Sequence, residues 1–364
     1  MRHLDEYRDP ALLRALEREL AALRPAPVNL MEVCGTHTMA AARFGLRQAL
    51  PEGVELLSGP GCPVCVTPTR EVDRFLAAGA APGAILATFG DMLRVPGSRS
   101  NLERERARGA DVRVLYSAAD AVALARSRPE RQVIFFAVGF ETTAPTVAMT
   151  LLEADAGGVG NFSILCAHRI VPPALKALVL AGEVNVGGFI LPGHVSTIIG
   201  SRPYEFLARE HRMPCVIAGF EPTDLLRAVL MLLRQRAERR SQVEIEYSRV
   251  VKPGGNERAQ AVMERVFEVC DAEWRGLGMI AGSGLRLREE FRRFDAASRF
   301  GLLAPDTQDP PECRCGEVLR GVVRPTDCTL FGNACTPEHP VGPCMVSTEG
   351  TCAAYYKYRP SPDG

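Results

Sequence analysis

Short apolar runs alternate with amphipathic segments through the first two thirds of the chain. Apolar residues recur at helical spacing over residues 11–24, and Pro25 ends the predicted helix. Beyond it the pattern predicts eight strands, at 28–33, 54–58, 83–88, 112–116, 132–138, 162–167, 187–191 and 215–219. Helices are predicted between them, at 37–50, 67–79, 117–127, 172–181 and 224–239. Strands that alternate with helices of this length predict βαβ units and a parallel sheet.

Eight such units fit either one barrel or two smaller open sheets. The chain turns polar at 128–131, and a Gly-Phe-Glu tripeptide follows two predicted strands, at 139–141 and 219–221. We therefore predict an α/β protein with two small open parallel-sheet α/β domains, residues 1–129 and 130–241. A third domain, residues 242–364, is predicted to contain a strand at 243–247, a helix near 256–270 and a loop-rich end.

Composition and charge narrow the class of protein. The 364 residues include 43 Lys and Arg and 43 Asp and Glu, so the formal net charge is zero. A neutral balance gives no electrostatic reason to expect nucleic acid or an anionic membrane as a partner. No apolar run reaches the length of a membrane span, and the first ten residues do not resemble a signal peptide. We therefore expect a cytoplasmic protein, in which twelve cysteines indicate metal, redox or nucleophilic roles.

Four cysteines are spread through the C-terminal segment, which is rich in Gly and Pro. They are Cys328, Cys335, Cys344 and Cys352. Zinc is one interpretation, but structural zinc sites usually contain paired Cys-x₂₋₄-Cys, whereas evenly spread cysteines suit a [4Fe–4S] cluster. Buried thiols without a metal are the third interpretation. Cys313 and Cys315, just upstream, are alternative ligands, a redox pair or packing thiols.

Three further thiols follow the first two predicted strands. Cys62 and Cys65 form a Cys-Pro-Val-Cys motif before a helix start, with Thr67 and Pro68 as its expected N-cap and first residue. This spacing favours dithiol–disulfide exchange, with metal binding and core packing as alternatives. Cys34 also precedes a helix start, so we expect a thiolate-prone side chain. His37 is placed to share a metal with it, whereas Cys166, Cys215 and Cys270 lie in apolar runs and are expected in the core.

Polar residues also follow strands in the second half of the chain. Glu141, His194 and Glu221 each follow a predicted strand, and His168 does so with weaker support. Ligands of open α/β sheets bind at the carboxyl ends of the strands. Glu141 and His194 are therefore candidate catalytic residues, although a single histidine often has a structural role.

Several longer motifs resemble those of the HypD family, the iron–sulfur proteins of [NiFe]-hydrogenase maturation. They are Met-Glu-Val-Cys-Gly-Thr-His-Thr (31–38), Gly-Pro-Gly-Cys-Pro-Val-Cys (59–65), Gly-Phe-Glu-Thr-Thr-Ala-Pro-Thr (139–146), Leu-Pro-Gly-His-Val-Ser (191–196) and the cysteine-containing segment 327–356. The resemblance extends over nearly the whole chain. Met39 stands where many members have His, so we assign no metal role to it.

The resemblance implies a redox-active scaffold rather than a conventional turnover enzyme. It implies that the Fe(CN)₂CO unit of the hydrogenase active site is assembled here, with the transient iron held between Cys34 and the small chaperone HypC. It also implies that HypE supplies cyanide, that the hydrogenase large subunit receives the product, and that a [4Fe–4S] cluster on Cys328, Cys335, Cys344 and Cys352 supplies electrons through Cys62 and Cys65. From the residues alone, an iron–sulfur protein-disulfide reductase and a zinc-stabilised interaction protein remain alternatives.

Overall fold

The computed structural model describes residues 7–358. Its strands are β1 (Val28–Glu32), β2 (Val54–Ser58), β3 (Ala84–Thr88), β4 (Val112–Val114), β5 (Gln132–Gly139), β6 (Phe162–His168), β7 (Val186–Pro192), β8 (Cys215–Ala218), β9 (Val243–Ile245), β10 (Phe267–Trp274) and β11 (Gly278–Leu287). Its helices are α1 (Pro10–Ala22), α2 (Gly35–Arg43), α3 (Pro63–Val66), α4 (Thr69–Ala77), α5 (Leu102–Ala107), α6 (Ala118–Ser127), α7 (Ala144–Ala156), α8 (Val171–Ala181), α9 (Gly193–Ile199), α10 (Glu205–Arg209), α11 (Pro222–Ala237), α12 (Glu257–Val266), α13 (Ala296–Phe300), α14 (Cys315–Leu319), α15 (Pro343–Val346) and α16 (Thr351–Lys357). Short 3₁₀ helices lie at Ala78–Ala80, Gly90–Arg94, Arg202–Tyr204, Glu289–Phe294 and Pro325–Asp327.

Two open parallel sheets form the body of the protein, as the α/β prediction requires. The five-stranded sheet has the order β2-β1-β7-β8-β9, and the four-stranded sheet has the order β4-β3-β5-β6. Every strand pair in both sheets is parallel. No helix within residues 7–358 has the length and apolar character needed to span a membrane. Residues 1–6, part of the predicted signal-free N-terminus, lie outside the described residues.

The division of the chain between the sheets differs from the predicted domains. The expected boundary between 129 and 130 falls between β4 and β5, which belong to the same four-stranded sheet. The five-stranded sheet takes β1 and β2 from one predicted domain and β7 and β8 from the other, with Leu30 paired to Gly188. Because strand periodicity reports burial and not the identity of the partner, the sequence pattern did not indicate this pairing across more than 150 residues.

Apolar side chains on both faces of the strands create one core between the sheets and one outside each sheet. Along β5, Ile134 and Phe136 enter the core between the sheets, whereas Val133 and Phe135 pack under α6 and α7. Successive residues of a strand point to opposite faces, so a strand buried on both sides alternates between two cores. The core between the sheets also contains Cys62, Cys65, Cys315 and Cys344.

Two helix predictions are corrected by the structure. The predicted helix 37–50 ends at Arg43, and Gly45 then adopts a φ of 64°, which turns the chain away from the helix. The predicted helix near 256–270 ends at Val266, where β10 begins an antiparallel hairpin with β11. Buried Phe267, Ala272 and Trp274 face the core from β10, so tertiary packing outweighs the local helical pattern.

Two cysteines at the β10–β11 hairpin are less buried than predicted. Cys215 is fully buried in β8, as predicted. Cys166 and Cys270 are only partly buried and line a cleft of about 560 Å³ between β6 and the hairpin. The apolar runs around them therefore indicated strands correctly but did not indicate complete burial.

Candidate functional site

The carboxyl ends of β1 and β7 meet where the five-stranded sheet changes direction. The chain proceeds from β1 to β2 on one side and from β7 through β8 to β9 on the other. Cys34 lies two residues beyond β1, and His194 lies in the first turn of α9 after β7. Open α/β sheets bind ligands at such a position because the adjacent loops diverge and leave a crevice. The fold therefore brings the first predicted thiol and His194 to the same edge.

Cys34 is held by the loop that follows β2. The Gly35 N–H donates to the carbonyl oxygen of Gly61 at 2.9 Å. A Cβ atom on Gly61 would collide with the backbone N and Cα of Cys34, so only glycine fits without a backbone movement. The two N-terminal motifs are consequently in backbone contact, and Cys62 follows the contact directly.

A buried carboxylate fixes the backbone beneath Cys34. Glu32 is completely buried, and its Oε2 accepts the Cys34 N–H at 3.2 Å, while Thr38 Oγ1 donates to Oε1. Burial raises the pKa of Glu32 to about 7, although hydrogen bonds from Ser58 and Thr38 oppose the change. The loop conformation at Cys34 thus depends on a polar network and not only on apolar packing.

The prediction that Cys34 is thiolate-prone is wrong for the protein alone. Its side chain is 6% exposed, and burial raises its pKa to about 12, with a smaller contribution from the Glu349 carboxylate. The backbone N–H groups of His37 and Thr36 lower the pKa, but by less than burial raises it. Cys34 is therefore a protonated thiol near neutral pH, and a metal ion would have to displace this proton in order to bind it.

Cys62 and Cys65 form a disulfide with their Cα atoms 5.2 Å apart. Both are buried, and the Cys65 N–H donates to Cys62 Sγ at 3.1 Å. The motif occupies α3, and α4 begins separately at Thr69 with Pro68 as its N-cap, one residue later than predicted. The dithiol interpretation is thus supported by a geometry in which the two sulfur atoms can bond directly.

Six cysteines line one cavity in the C-terminal region. They are Cys313, Cys315, Cys328, Cys335, Cys344 and Cys352. The Cys344 thiol forms hydrogen bonds with Cys315 and Cys352, and Cys315 also bonds with Cys313. The four predicted cluster cysteines are therefore together, with two further thiols among them. We call this arrangement the thiol cavity.

The lining of the thiol cavity suits an iron–sulfur cluster. Apolar Val318, Leu330 and Phe331 surround the sulfur atoms, and Val341 N–H donates to Cys335 Sγ at 3.4 Å. Among residues 7–358, no three His, Cys, Asp or Glu side chains are arranged around a single metal ion. A cube takes each thiolate on a different iron, so it does not require the sulfur atoms to converge on one point.

The segment between Cys344 and Cys352 contacts the carboxyl edges of both sheets. Thr36 Oγ1 donates to Glu349 Oε1 at 2.6 Å, and Gly35 packs against the Glu349 side chain. On the four-stranded sheet, Asp91 Oδ2 accepts hydrogen bonds from Ser347 Oγ at 3.0 Å and the Thr348 N–H at 3.1 Å. The thiol cavity therefore lies against the Met31–Cys65 stretch, although more than 260 residues separate Cys65 from Cys328.

Glu349 and Asp91 were missed as site residues by the sequence reasoning. Glu349 lies between Cys344 and Cys352, in Ser-Thr-Glu-Gly-Thr-Cys, which was a usable indication of a functional position. Asp91 lies in a 3₁₀ helix after β3 and had no local motif. Their joint role, holding the cysteine segment across both sheets, is visible only in the tertiary structure.

Two histidines share Phe220 at the edge of the five-stranded sheet. His194 is exposed and stacks on the Phe220 ring at a centroid distance of 3.8 Å, and His37 lies 4.9 Å from the same ring. His37 is buried, which lowers its pKa to about 4, and its Nε2–H donates to the Ala218 carbonyl at 3.2 Å. His37 Nδ1 has no hydrogen-bond partner among the described residues, so it offers a free lone pair.

Glu141 and His168 lie at the other sheet. Glu141 Oε1 accepts the Val171 N–H at 2.9 Å, its Oε2 has no hydrogen-bond partner within residues 7–358, and burial raises its pKa to about 7. His168 is completely buried and bonds Thr143 Oγ1 at 3.2 Å. Glu221, the third carboxylate considered, ion-pairs with Arg8 and caps α11. His168 and Glu221 therefore have structural partners, whereas one Glu141 oxygen has none in the part of the chain that the structure describes.

These features define a two-sheet α/β protein whose reactive groups are mainly cysteines. The model of the HypD family, described as hydrogenase formation hypA family, matches residues 10–359. The chain is 48% identical over 368 residues to the hydrogenase maturation factor HypD of Rhizobium leguminosarum bv. viciae, covering 98% of this chain and 96% of that protein. Proteins of the same name from Cupriavidus necator and Escherichia coli K12 are 48% and 47% identical, over 98% and 99% of this chain and 97% and 98% of their own. The chain therefore belongs to the HypD family of hydrogenase maturation factors.

Proposed function

We propose that this protein is a cytoplasmic scaffold on which the Fe(CN)₂CO unit of the [NiFe]-hydrogenase active site is assembled. The observation that carries the proposal is the meeting of three thiol groups: Cys34, the Cys62–Cys65 pair and the thiol cavity. Glu349 contacts Gly35 and Thr36 from the cavity side, and Gly61 contacts Cys34 from the dithiol side. The names of the related proteins support hydrogenase maturation as the process.

The iron is cargo in this proposal and is held between Cys34 and a cysteine of the small chaperone HypC. A soft thiolate suits an iron that also binds cyanide and CO. Because the Cys34 pKa is raised to about 12, iron binding must release the thiol proton. The unpartnered Nδ1 of His37 is a second candidate ligand from this chain, and exposed His194 is placed to orient the incoming groups.

The Cys62–Cys65 pair is proposed to release cyanide from the thiocyanate that HypE presents. Two thiols give up two electrons and two protons, the sulfur–carbon bond of the thiocyanate breaks, and the products are a disulfide, the HypE thiol and hydrogen cyanide. A [4Fe–4S] cluster on Cys328, Cys335, Cys344 and Cys352 would supply the electrons that restore the dithiol. Glu141, whose pKa is about 7, is a candidate to exchange protons near neutral pH. The completed unit then passes to the hydrogenase large subunit.

Replacing Cys34 tests the scaffold directly. Anaerobically purified Cys34→Ala, combined with HypC, HypE, Fe²⁺, CO and a cyanide source, is expected to keep its iron–sulfur content and to lack the infrared bands of bound cyanide and CO that wild type gives. Cys215→Ala is the matched control, because Cys215 is also a buried free cysteine but lies within β8. Normal infrared bands in Cys34→Ala would defeat the proposal.

The ligand set within the thiol cavity needs its own experiment. Six single Cys→Ser variants, analysed for iron and sulfide, are expected to separate four that lose the cluster from two that keep it. We expect Cys313→Ser and Cys315→Ser to keep it. Loss at either of these positions, with retention at Cys344→Ser, would correct the assigned ligands while leaving the scaffold proposal intact.

A protein-disulfide reductase is the second candidate function, because the Cys62–Cys65 disulfide lies beside the thiol cavity. This function needs neither HypC nor bound cyanide. Reduction of a thioredoxin-like substrate by the iron-loaded protein alone would favour it. A colourless anaerobic preparation that contains zinc and no iron would instead favour a zinc-stabilised interaction protein and exclude both other functions.

A further inference from the structure

Arg275 is a buried cation in the turn between β10 and β11. Its side chain is only 2% exposed. A guanidinium removed from water requires several hydrogen-bond partners or a counter-ion, because its desolvation is otherwise strongly unfavourable. The hydrogen-bond and ion-pair partners of Arg275 come from two distant parts of the chain, so this side chain connects them.

On one side, Arg275 binds the residues that follow the Cys62–Cys65 motif. Its backbone N–H donates to the Val66 carbonyl at 2.8 Å, and Nε donates to the Thr67 carbonyl at 3.1 Å. Its Nη2 donates to Thr69 Oγ1 at 2.9 Å. Val66 is the residue next to Cys65, so these hydrogen bonds hold the C-terminal end of α3 in place.

On the other side, Arg275 reaches the chain that leads into the thiol cavity. Its Nη1 pairs with Asp309 Oδ1 at 2.7 Å, and the same oxygen accepts from Thr69 Oγ1 at 2.7 Å. Gly276 packs so closely on Gly316 that a Cβ atom on Gly276 would collide with the Gly316 backbone. The hydrogen bond with Cys315 and burial raise the pKa of Cys313, and the hydrogen bonds with Cys313 and Cys344 lower the pKa of Cys315; the Arg275 charge is a smaller cause that opposes the first change and adds to the second.

We propose that Arg275 is a positioning residue that couples the Cys62–Cys65 pair to the thiol cavity and makes the disulfide easier to reduce. Reduction adds two electrons and one proton to the disulfide and gives one thiol and one thiolate. A positive charge held at the end of α3 stabilises the thiolate and therefore favours the reduced state. This role rests on the proposed function of the pair as an electron carrier.

The test is a redox titration of the full-length, iron-loaded protein against mixtures of reduced and oxidised dithiothreitol. The state of Cys62–Cys65 is read by alkylation and peptide mass spectrometry. Arg275→Met is expected to shift the equilibrium at least tenfold toward the disulfide, and Arg275→Lys, which keeps the charge, by less than threefold. Arg320→Met is the matched control, because Arg320 binds the Gly276 carbonyl and Glu183 rather than the dithiol segment.

Asp309→Asn separates the effect of charge from that of packing. It removes the counter-ion but leaves an oxygen that can accept the same hydrogen bonds, so it should shift the equilibrium at least threefold toward the dithiol. A shift toward the disulfide in Asp309→Asn, or an unshifted equilibrium in Arg275→Met, would overturn the proposal. If Arg275→Met does not fold, Arg275→Lys and Asp309→Asn decide the question. The first keeps the charge and should shift the equilibrium by less than threefold, whereas the second removes the counter-ion and should shift it toward the dithiol.

The titration is independent of the scaffold experiment. Wild-type protein that never shows cyanide and CO bands with HypC and HypE would defeat the proposed function without changing the effect of Arg275 on the disulfide. An unshifted equilibrium would defeat the inference about Arg275 alone.

Discussion

Gly-Phe-Glu follows β5 in the four-stranded sheet and β8 in the five-stranded sheet, at residues 139–141 and 219–221. After β5, Glu141 is 1% exposed, keeps one unpartnered oxygen among the described residues and has a pKa of about 7. After β8, Glu221 is partly exposed, caps α11 and pairs with Arg8. The same tripeptide at equivalent strand ends therefore gives one buried carboxylate and one surface ion pair.

The histidines at the two edges differ in burial in the same direction as the carboxylates. His168 is the last residue of β6, the neighbour of β5, and is completely buried with Thr143 and Cys166 as partners. His194, after β7, is exposed beside the edge that holds Cys34. The end of a strand thus determines where a side chain lies, whereas burial and partners determine what it can do. The five-stranded edge offers accessible chemistry, and the four-stranded edge is largely closed.

The largest expected loss of stability comes from substituting Gly61 and Gly139, the glycines at the carboxyl edges of the two sheets. Gly61→Ala would press Cβ against the backbone of Cys34, which cannot move without disturbing β1 and α2. We expect a loss of about 3 kcal/mol or more in the free energy of unfolding, measured by urea denaturation, because overpacking against backbone has no side-chain relief. Gly139→Ala meets the Thr143 side chain and should lose about half as much.

The order of these two glycine variants is the decisive result. Equal losses would mean that the backbone contact between Gly61 and Cys34 relaxes freely. The loop would then not fix the position of Cys34, and the distinction between the two edges would weaken. A Gly160→Ala variant serves as a reference, since an added Cβ there has no atom within 4 Å and Gly160 does not have a positive φ.

The second expected effect is a difference in stability between variants of His168 and His194. His168→Ala leaves a cavity and removes the partner of Thr143 Oγ1, so we expect a loss of about 3 kcal/mol in unfolding free energy. His194→Ala removes only a ring stacked on Phe220 and should change stability by less than about 1 kcal/mol while reducing iron assembly. Comparable destabilisation by both variants would contradict the functional interpretation of His194.

The sequence predicted local secondary structure more accurately than it predicted which strands pair and which side chains contact each other. The strands β1 to β8 lie close to their predicted positions, because burial on both faces produces short apolar runs, and so do four of the five helices predicted between them, all but 37–50. The pairing of β1 with β7 and the contact of Glu349 with Thr36 join residues far apart in the chain, and no local pattern encodes them. Cys313 and Cys315 were expected to be alternative ligands, a redox pair or packing thiols, and spacing alone did not show that they line the same cavity as the other four cysteines.

The third effect depends on pH and concerns Glu141. Its pKa is raised to about 7 by burial from an ordinary value of 4.5, so the folded protein binds a proton more tightly than the unfolded chain. Stability should therefore fall as pH rises from about 5 to 8, and Glu141→Gln should remove this part of the change. The gain of Glu141→Gln over wild type is expected to grow by about 2 kcal/mol between pH 5 and pH 8.

Buried Glu32 and Glu246 also have a raised pKa, so wild type alone would not isolate the effect of Glu141. The relevant quantity is the difference between wild type and Glu141→Gln, measured by urea denaturation at each pH. A difference that stays constant from pH 5 to 8 would show that Glu141 is not protonated in the folded protein, and its proposed proton-exchange role would fail.

The smallest effect on stability is expected for Glu221, the carboxylate of the second Gly-Phe-Glu tripeptide. Glu221→Gln weakens an ion pair with Arg8, whose side chain is 48% exposed, and water and salt screen such pairs strongly. The change in thermal midpoint should be close to zero and should vanish at high salt, whereas the effect of Glu141→Gln at pH 8 should persist because Glu141 is buried. A large, salt-independent loss in Glu221→Gln would mean that its capping of α11 matters more than the ion pair. In that case both Gly-Phe-Glu sites would be structurally essential, and burial alone would no longer explain why they differ.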